Sequence, residues 1–375
     1  MIKRIIEKQI IEKINKQKAI IIFGARQTGK TTLVKSIFSE YSDVLWLNGD
    51  DVDTHALFES SSAERLKLSF AKYKFIILDE AQRIENIGIK LKLITDQMPE
   101  IQLIATGSSS FELANRINEP LTGRKWEFNI FPISFAEMVD YHGFVEENRL
   151  MPHRLVYGYY PEVVTSKAYE KEVLKQISDS YLYKDILQWD KIKKSDKLIK
   201  LLKALAYQVG SEVSYNELSK IIGIDNQTIE KYIDLLEQLF IIFRLNSFSR
   251  NHRKELSRSK KIFFYDNGIR NALIADFRLV ESRNDIGALW ENFIISERIK
   301  YLKYNNIWAN IYFWRTRNQQ EIDFIEERNG VLYAYEFKWN TNKKPKLSTT
   351  FSKTYPNHKY SIINPDNYET FISMI

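Results

Sequence analysis

The chain has 375 residues, a formal net charge of +7, 44% hydrophobic and 27% charged residues, and no cysteine. That length gives two or three domains a core each, and the lack of cysteine excludes disulfides, zinc–thiolate sites and thiol nucleophiles. The small positive balance favours anionic partners without naming one, and with no signal peptide or membrane span in view a cytoplasmic protein without a membrane partner is expected.

Ala19-Ile20-Ile21-Ile22-Phe23 is a short apolar run that suits a buried parallel strand. Gly24-Ala25-Arg26-Gln27-Thr28-Gly29-Lys30-Thr31 follows, a G-x-x-x-x-G-K-T loop, and from Thr31 the spacing of Leu33, Val34 and Ile37 is helical. In such a loop backbone N–H groups cradle phosphate at the positive end of the new helix. Gly24, Gln27, Thr28, Gly29, Lys30, Thr31 and Thr32 are therefore expected to hold ATP. Lys30 would reach the β- and γ-phosphates, and Thr31 would take a place on Mg²⁺.

A second strand is expected at Val44–Asn48, and a third at Phe75–Leu78 runs into Asp79-Glu80. Asp79 at a strand's carboxyl end suits Mg²⁺, and Glu80 suits the polarisation of an attacking water. A helix N-cap is the bland alternative for the pair, but the phosphate loop upstream favours the catalytic one. A fourth strand at Ile101–Ala105 ends in Thr106-Gly107-Ser108-Ser109-Ser110, where hydroxyls, Ser108 among them, could position that water. Arg124, before the strand Trp126–Ile130, is a candidate finger on the γ-phosphate, in cis or from a neighbour in a homo-oligomer. The alternative is a surface arginine paired to a nearby acid such as Glu119.

Gly24–Thr31, Leu78-Asp79-Glu80-Ala81-Gln82, Thr106–Ser110, Leu121–Arg124 and Phe131-Pro132-Ile133-Ser134-Phe135 come in an order that resembles the prokaryotic AAA-type ATPases with a long C-terminal module of unknown function. Gly158-Tyr159-Tyr160-Pro161-Glu162 is similar to that group's Gly-Gly-Phe/Tyr-Pro-Glu stretch, with Tyr157 in place of the first glycine. The resemblance covers nearly the whole chain. It implies an ATPase core, a winged helix and a nuclease-like end.

Further along, Leu198, Ile199, Leu201, Leu202, Leu205 and Ala206 make an apolar helical stripe. Ser214 and Glu217 have capping-box spacing for a second helix that Gly223 ends, and Asp225–Thr228 opens a third. Phe240–Leu245 then reads as a strand. Three short helices before a hairpin make a winged helix-turn-helix. Its wing (Arg250, His252, Arg253, Lys254, Arg258, Lys260 and Lys261) is basic enough to meet DNA phosphates. The presumed recognition helix is acidic at Asp225, Glu230, Asp234 and Glu237, which argues equally for packing between domains.

At the end, Tyr312–Arg315, Glu321–Ile325 and Val331–Trp339 are strand-like, and Asn329-Gly330 signals a tight hairpin. A symmetric turn sets Asp323 opposite Glu336 and Glu321 opposite Lys338, all on one face. Facing carboxylates repel unless a positive group such as Mg²⁺ lies between them. Lys338 would orient water or stabilise the transition state. The hairpin resembles the active site of restriction-endonuclease-like enzymes, which add an acid from a preceding helix; Glu291 matches that position, while Ile322 stands where Pro is frequent. An ordinary surface ion pair or an inactive scaffold are the alternatives. The terminal aromatic residues, Trp308 and Trp339 among them, are expected in the core.

The expected architecture is α/β: a P-loop AAA-type parallel-sheet domain over 1–135, a helical lid or connector over 136–194, a winged helix-turn-helix over 195–280 and a small restriction-endonuclease-like domain over 281–375. ATP and Mg²⁺ are the expected cofactors. Catalysis is assigned to Lys30, Glu80 and Arg124 for ATP, and to Asp323, Glu336 and Lys338 for DNA. Metal ligands would be Thr31 and Asp79, then Glu291, Asp323 and Glu336. The rival is an ATP-dependent switch or scaffold whose terminal fold does no chemistry.

Overall fold

Six consecutive residues, Ala19–Gly24, are buried and form the strand β1 of the computed structural model, which describes residues 1–59, 62–107, 120–166, 168–187, 195–249 and 259–373. A run apolar on both faces needs cover on both faces, which a parallel sheet between helices provides. β2 (Val44–Asn48), β3 (Phe75–Asp79), β4 (Gln102–Gly107) and β5 (Lys125–Ile130) join it in the order β2-β3-β4-β1-β5, with every pair parallel. Because β4 lies between β1 and β3, the carboxyl ends of all three meet at one edge. The phosphate loop, Asp79 and Thr106 therefore share that edge. These strands belong to a unit made of Met1–Phe131 and Gln238–Phe240.

Strand direction also corrects one expectation. Ala19 N donates to Arg124 O at 2.9 Å, and Ala19 registers with Lys125. Arg124 thus stands at the amino end of the sheet, a whole strand away from the phosphate loop. Its guanidinium bonds Asp96 Oδ1 at 2.5 Å. A finger acting in cis is excluded by this topology.

The second unit comprises Pro132–Glu237 and Ile241–Ile375. Its sheet has seven strands, β6 (Glu212–Val213), β7 (Ile242–Ser247), β8 (Lys260–Phe264), β9 (Asn310–Arg315), β10 (Glu321–Arg328), β11 (Val331–Phe337) and β12 (His358–Ile363). The order is β12-β11-β10-β9-β7-β8-β6, so one sheet runs across residue 280. The join is parallel, with Asn246 beside Tyr312 and Ser247 beside Phe313.

Helices Ser195–Tyr207, Tyr215–Ile222 and Asn226–Gln238 precede β7. Ser214 Oγ accepts from Glu217 N at 3.3 Å and caps the second helix. Asp234 and Glu237 both bond Arg244 on β7 and Glu230 lies 3.8 Å from Lys260 on β8, so the acids within the third helix are already paired inside the fold. The basic stretch Arg250–Arg258 lies outside the described residues.

Ile286–Tyr304 is a helix buried on most sides, as a helix apolar around its circumference must be. Asn292 fixes it to β8: its Oδ1 accepts from Phe264 N at 2.7 Å and its Nδ2 donates to Phe264 O at 3.0 Å. Trp314 and Tyr335 are buried in the sheet's packing, whereas Trp308 is 92% exposed and is no part of the core. Trp308 sits in the short connection after the helix, where no second layer covers it.

At Gly24 a Cβ would stand 2.3 Å from Ile130 O on β5, a backbone atom that cannot swing away. Gly24→Ala should therefore destabilise the chain by about 1–3 kcal/mol through overpacking. Urea denaturation of the full-length variant measures this, and unchanged stability would show that the two strands can part.

Candidate functional site

The first cluster lies at the carboxyl edge of the five-stranded sheet. Lys30 begins the helix Lys30–Ile37, is buried, and donates to Gly24 O at 2.9 Å and Ala25 O at 2.8 Å. Thr28 Oγ1 closes the same loop on Ala25 O at 2.8 Å. Thr31 Oγ1 donates to Asp79 Oδ2 at 2.7 Å, which brings both oxygen donors expected on Mg²⁺ into contact. Gln27 and Thr32 are exposed at the loop and the first helical turn. Ser108 lies outside the described residues.

Thr106, at the end of β4, is the hydroxyl that meets the acid pair. Its Oγ1 donates to Asp79 Oδ1 and accepts from Glu80 N at 3.2 Å. Glu80 has φ 51°, an uncommon conformation for a residue with a side chain, and its carboxylate accepts from Gln82 Nε2 at 2.5 Å. Backbone in that region costs on the order of 1 kcal/mol and persists where neighbours impose it. Here the Thr106 hydroxyl holds the Glu80 N–H, and Arg83 N donates to Glu80 O at 3.0 Å.

Sequence reasoning missed Arg4. It is buried, and donates to Thr28 O within the phosphate loop and to Phe131 O beyond β5, both at 2.7 Å. An arginine so far ahead of the loop gives no local signal in the sequence.

The second cluster is built on β8, β10, β11 and the helix Ile286–Tyr304. The β10–β11 register runs from Arg328–Val331 to Phe324–Tyr335, around Asn329 at φ 50° and Gly330 at φ 74°. Two positive φ values make the primed turn that matches strand twist. The expected symmetric hairpin is present without a bulge at its tip. Asp323 Oδ2 accepts from Phe337 N at 2.8 Å and from Lys338 Nζ at 3.0 Å, and Lys338 Nζ also bonds Glu336 Oε2 at 2.7 Å. A lysine therefore takes the position between the facing carboxylates.

Glu321 does not pair with Lys338. It bonds Lys261 at 2.5 Å, with Arg315 at 3.7 Å, and Lys261 also bonds Glu291 at 3.1 Å. Lys261 was assigned to the basic wing; it is instead buried on β8 and points into the acid cluster. Alternation along a strand sends neighbours to opposite faces, which parts it from Lys260, bonded to Tyr215 Oη at 3.5 Å.

Four carboxylates and two ammonium groups therefore share this space. Burial, followed by the charge of Asp323, pushes Glu336 up to about 7 against the pull of Lys338. Burial also carries Glu291 up to about 7, with Lys261 opposing and Asp323 assisting. For Lys261 and Lys338 burial pulls downward, but the surrounding carboxylates outweigh it and both are raised. Among the described residues no three acids or histidines are arranged to hold a metal ion as the side chains stand. The donor set is nonetheless one of hard oxygens, four carboxylates against Lys261, Lys338 and the more distant Arg315, which suits a divalent cation.

Residues 16–139 match a family model described as an AAA domain, and residues 148–279 and 286–372 match two domains of unknown function (DUF8612 and DUF4143). An uncharacterized protein of Methanocaldococcus jannaschii is 25% identical over 388 residues, covering 96% of this chain and 84% of its own. One from Haemophilus influenzae is 26% identical over 362 residues, covering 87% and 85%. Among solved structures, the Walker-type ATPase of Pyrococcus abyssi superposes with a TM-score of 0.51 and 14% identity, over 73% of this chain and 96% of its own. That likeness is one of fold. The AAA match over residues 16–139 and the phosphate loop support an AAA-type P-loop fold for the first unit.

Two outcomes are expected. Thr106→Val removes the hydroxyl from the acid pair and should lower kcat for ATP by about 100-fold, with KM little changed; equal loss in KM would place Thr106 in binding instead. Glu291 and Glu336 hold protons more tightly folded than unfolded, near 4.5. Their contribution is therefore full below about pH 4.5 and lost as pH rises through about 7. In EDTA, the native chain should lose thermal stability relative to Glu336→Gln over that window, and parallel Tm curves would refute the shift.

Proposed function

We propose that the protein hydrolyses ATP in its first unit and cleaves the DNA backbone at the acid cluster of its second. The ATPase half is supported by the phosphate loop, the Thr31–Asp79 contact and the Thr106–Asp79–Glu80 bonds. Lys30 would leave Gly24 O and Ala25 O for the phosphates, and Glu80 would take the proton of the attacking water. Magnesium bound with the nucleotide supplies positive charge against the phosphate oxygens, and Thr31 and Asp79 would hold it. Arg124 remains a candidate finger only from a neighbouring copy.

For the second unit the observation that carries the proposal is the gathering of four partly buried carboxylates, Glu291, Glu321, Asp323 and Glu336, around Lys261 and Lys338, with Arg315 farther off. Glu291, Asp323 and Glu336 would hold a divalent cation, which supplies Lewis acidity at the phosphorus. Lys338 would stand against the charge that develops on the phosphate oxygens. Water oxygen bonds to phosphorus, the bond from phosphorus to one bridging sugar oxygen breaks, and that oxygen leaves with a proton. The three helices before β7, with β7 and β8, are proposed as a winged helix-turn-helix and the β9–β12 region as a restriction-endonuclease-like fold.

A second reading has the ATP state setting partner binding while the acid cluster does no chemistry. It is favoured by Lys338, which bonds both Asp323 and Glu336 and so balances the pair without a metal ion.

Cleavage of linear and supercoiled DNA with Mg²⁺ or Mn²⁺, with and without ATP, separates the two. Cutting by the native chain and none by Asp323→Ala is expected, with ATP turnover lost by at least ~100-fold in Glu80→Gln. No cutting under any condition, with ATPase intact, would leave the switch.

A further inference from the structure

The acid cluster is bordered by a stretch of opposite charge. From Phe337 to Pro365 the chain carries six lysines and no Asp or Glu, although the whole chain has 55 basic and 48 acidic residues. The first part of that stretch, residues 339–348, is fastened at three points around the cluster. Trp339 packs edge-on against Trp290, centroids 5.4 Å apart, next to Glu291. Tyr360 Oη donates to Pro345 O at 3.1 Å. Ser348 Oγ donates to Gln320 Oε1 at 2.9 Å, beside Glu321. Burial and then the charge of Glu336, with Asp323 adding, push the Tyr360 phenol up to about 12, so the middle anchor lies within the field of the cluster.

Lys343, Lys344 and Lys346 stand exposed on this strap. The cluster's own acids are met instead by Lys261, Lys338 and Arg315. Three anchors on about ten residues cost conformational entropy that lysines kept only for solubility do not require. Residues 343 to 346 reach at most about 10–11 Å, enough to cover the two steps of about 3.4 Å of axial rise that separate three successive phosphates of one strand.

We propose that the 339–348 strap is the strand-binding rail of the acid cluster, with Lys343, Lys344 and Lys346 taking successive backbone phosphates of DNA. The rail holds a polymer rather than a mononucleotide, and it reads no sequence because phosphates carry none. It rests on the DNA-directed role proposed for the second unit, but binding can be read without cleavage.

The test is anisotropy of a labelled duplex with the full-length chain in EDTA, across KCl, comparing native protein with Lys343→Ala/Lys344→Ala/Lys346→Ala and with the triple Arg replacement. Three phosphate contacts contribute about −2.7 to the slope of log K against log salt, so native affinity should fall about 40-fold more than the Ala variant's between about 50 and about 200 mM. The Arg variant should keep the native slope, and all three should turn over ATP alike. No duplex binding by the native chain would overturn the rail. An Ala variant with native affinity and slope would overturn it too, and would point to the basic stretch Arg250–Arg258 or to a protein partner. Binding that follows this pattern without DNA cutting would sink the nuclease and leave the rail standing.

Discussion

Crowding of like charge is the constraint around which the second unit is arranged. Glu291, Glu321, Asp323 and Glu336 come from one helix and two strands into a partly buried space. Such a set is tolerable only if each carboxylate meets a cation or keeps a proton. Both solutions are in use: Lys261 and Lys338 each bond two of the acids, and Glu291 and Glu336 are held near neutrality. Because Lys261 comes from β8, the hairpin after the three helices is electrostatically part of the cluster. The continuous seven-stranded sheet is the backbone expression of the same dependence.

In the first unit the ordering principle is strand sequence rather than charge. Inserting β4 between β1 and β3 brings Thr106 against Asp79 and Glu80, and Thr31 meets Asp79 from the other side. One hydroxyl at the end of β4 therefore fixes both acids. Arg4 braces the loop through the carbonyl of Thr28, so the chain ahead of the matched AAA region also holds the phosphate loop in place.

Much of this was legible in the sequence. The strands of the parallel sheet follow from short apolar runs, and the hairpin register from Asn329-Gly330, because local chemistry decides both. The failures share a cause, since each depends on what a distant element does. Lys261 looked like one of a run of wing cations, but its partner Glu291 lies thirty residues on in another element. Arg124 looked free to reach a phosphate until strand direction put it at the opposite end of the sheet beside Asp96. Trp308 counted as core by its type, yet nothing packs over it.

The charge excess in the second unit is best tested by counting cations. Equilibrium titration of the full-length chain with Mn²⁺ at about pH 8, where both raised glutamates have lost their protons, can be followed by electron paramagnetic resonance without nucleotide. An Asp79→Asn background keeps the first unit from contributing. One bound ion that disappears in Glu291→Gln/Asp323→Asn is the expected result. No bound ion, or one indifferent to those substitutions, would mean that Lys261, Lys338 and Arg315 balance the cluster and that it holds no metal.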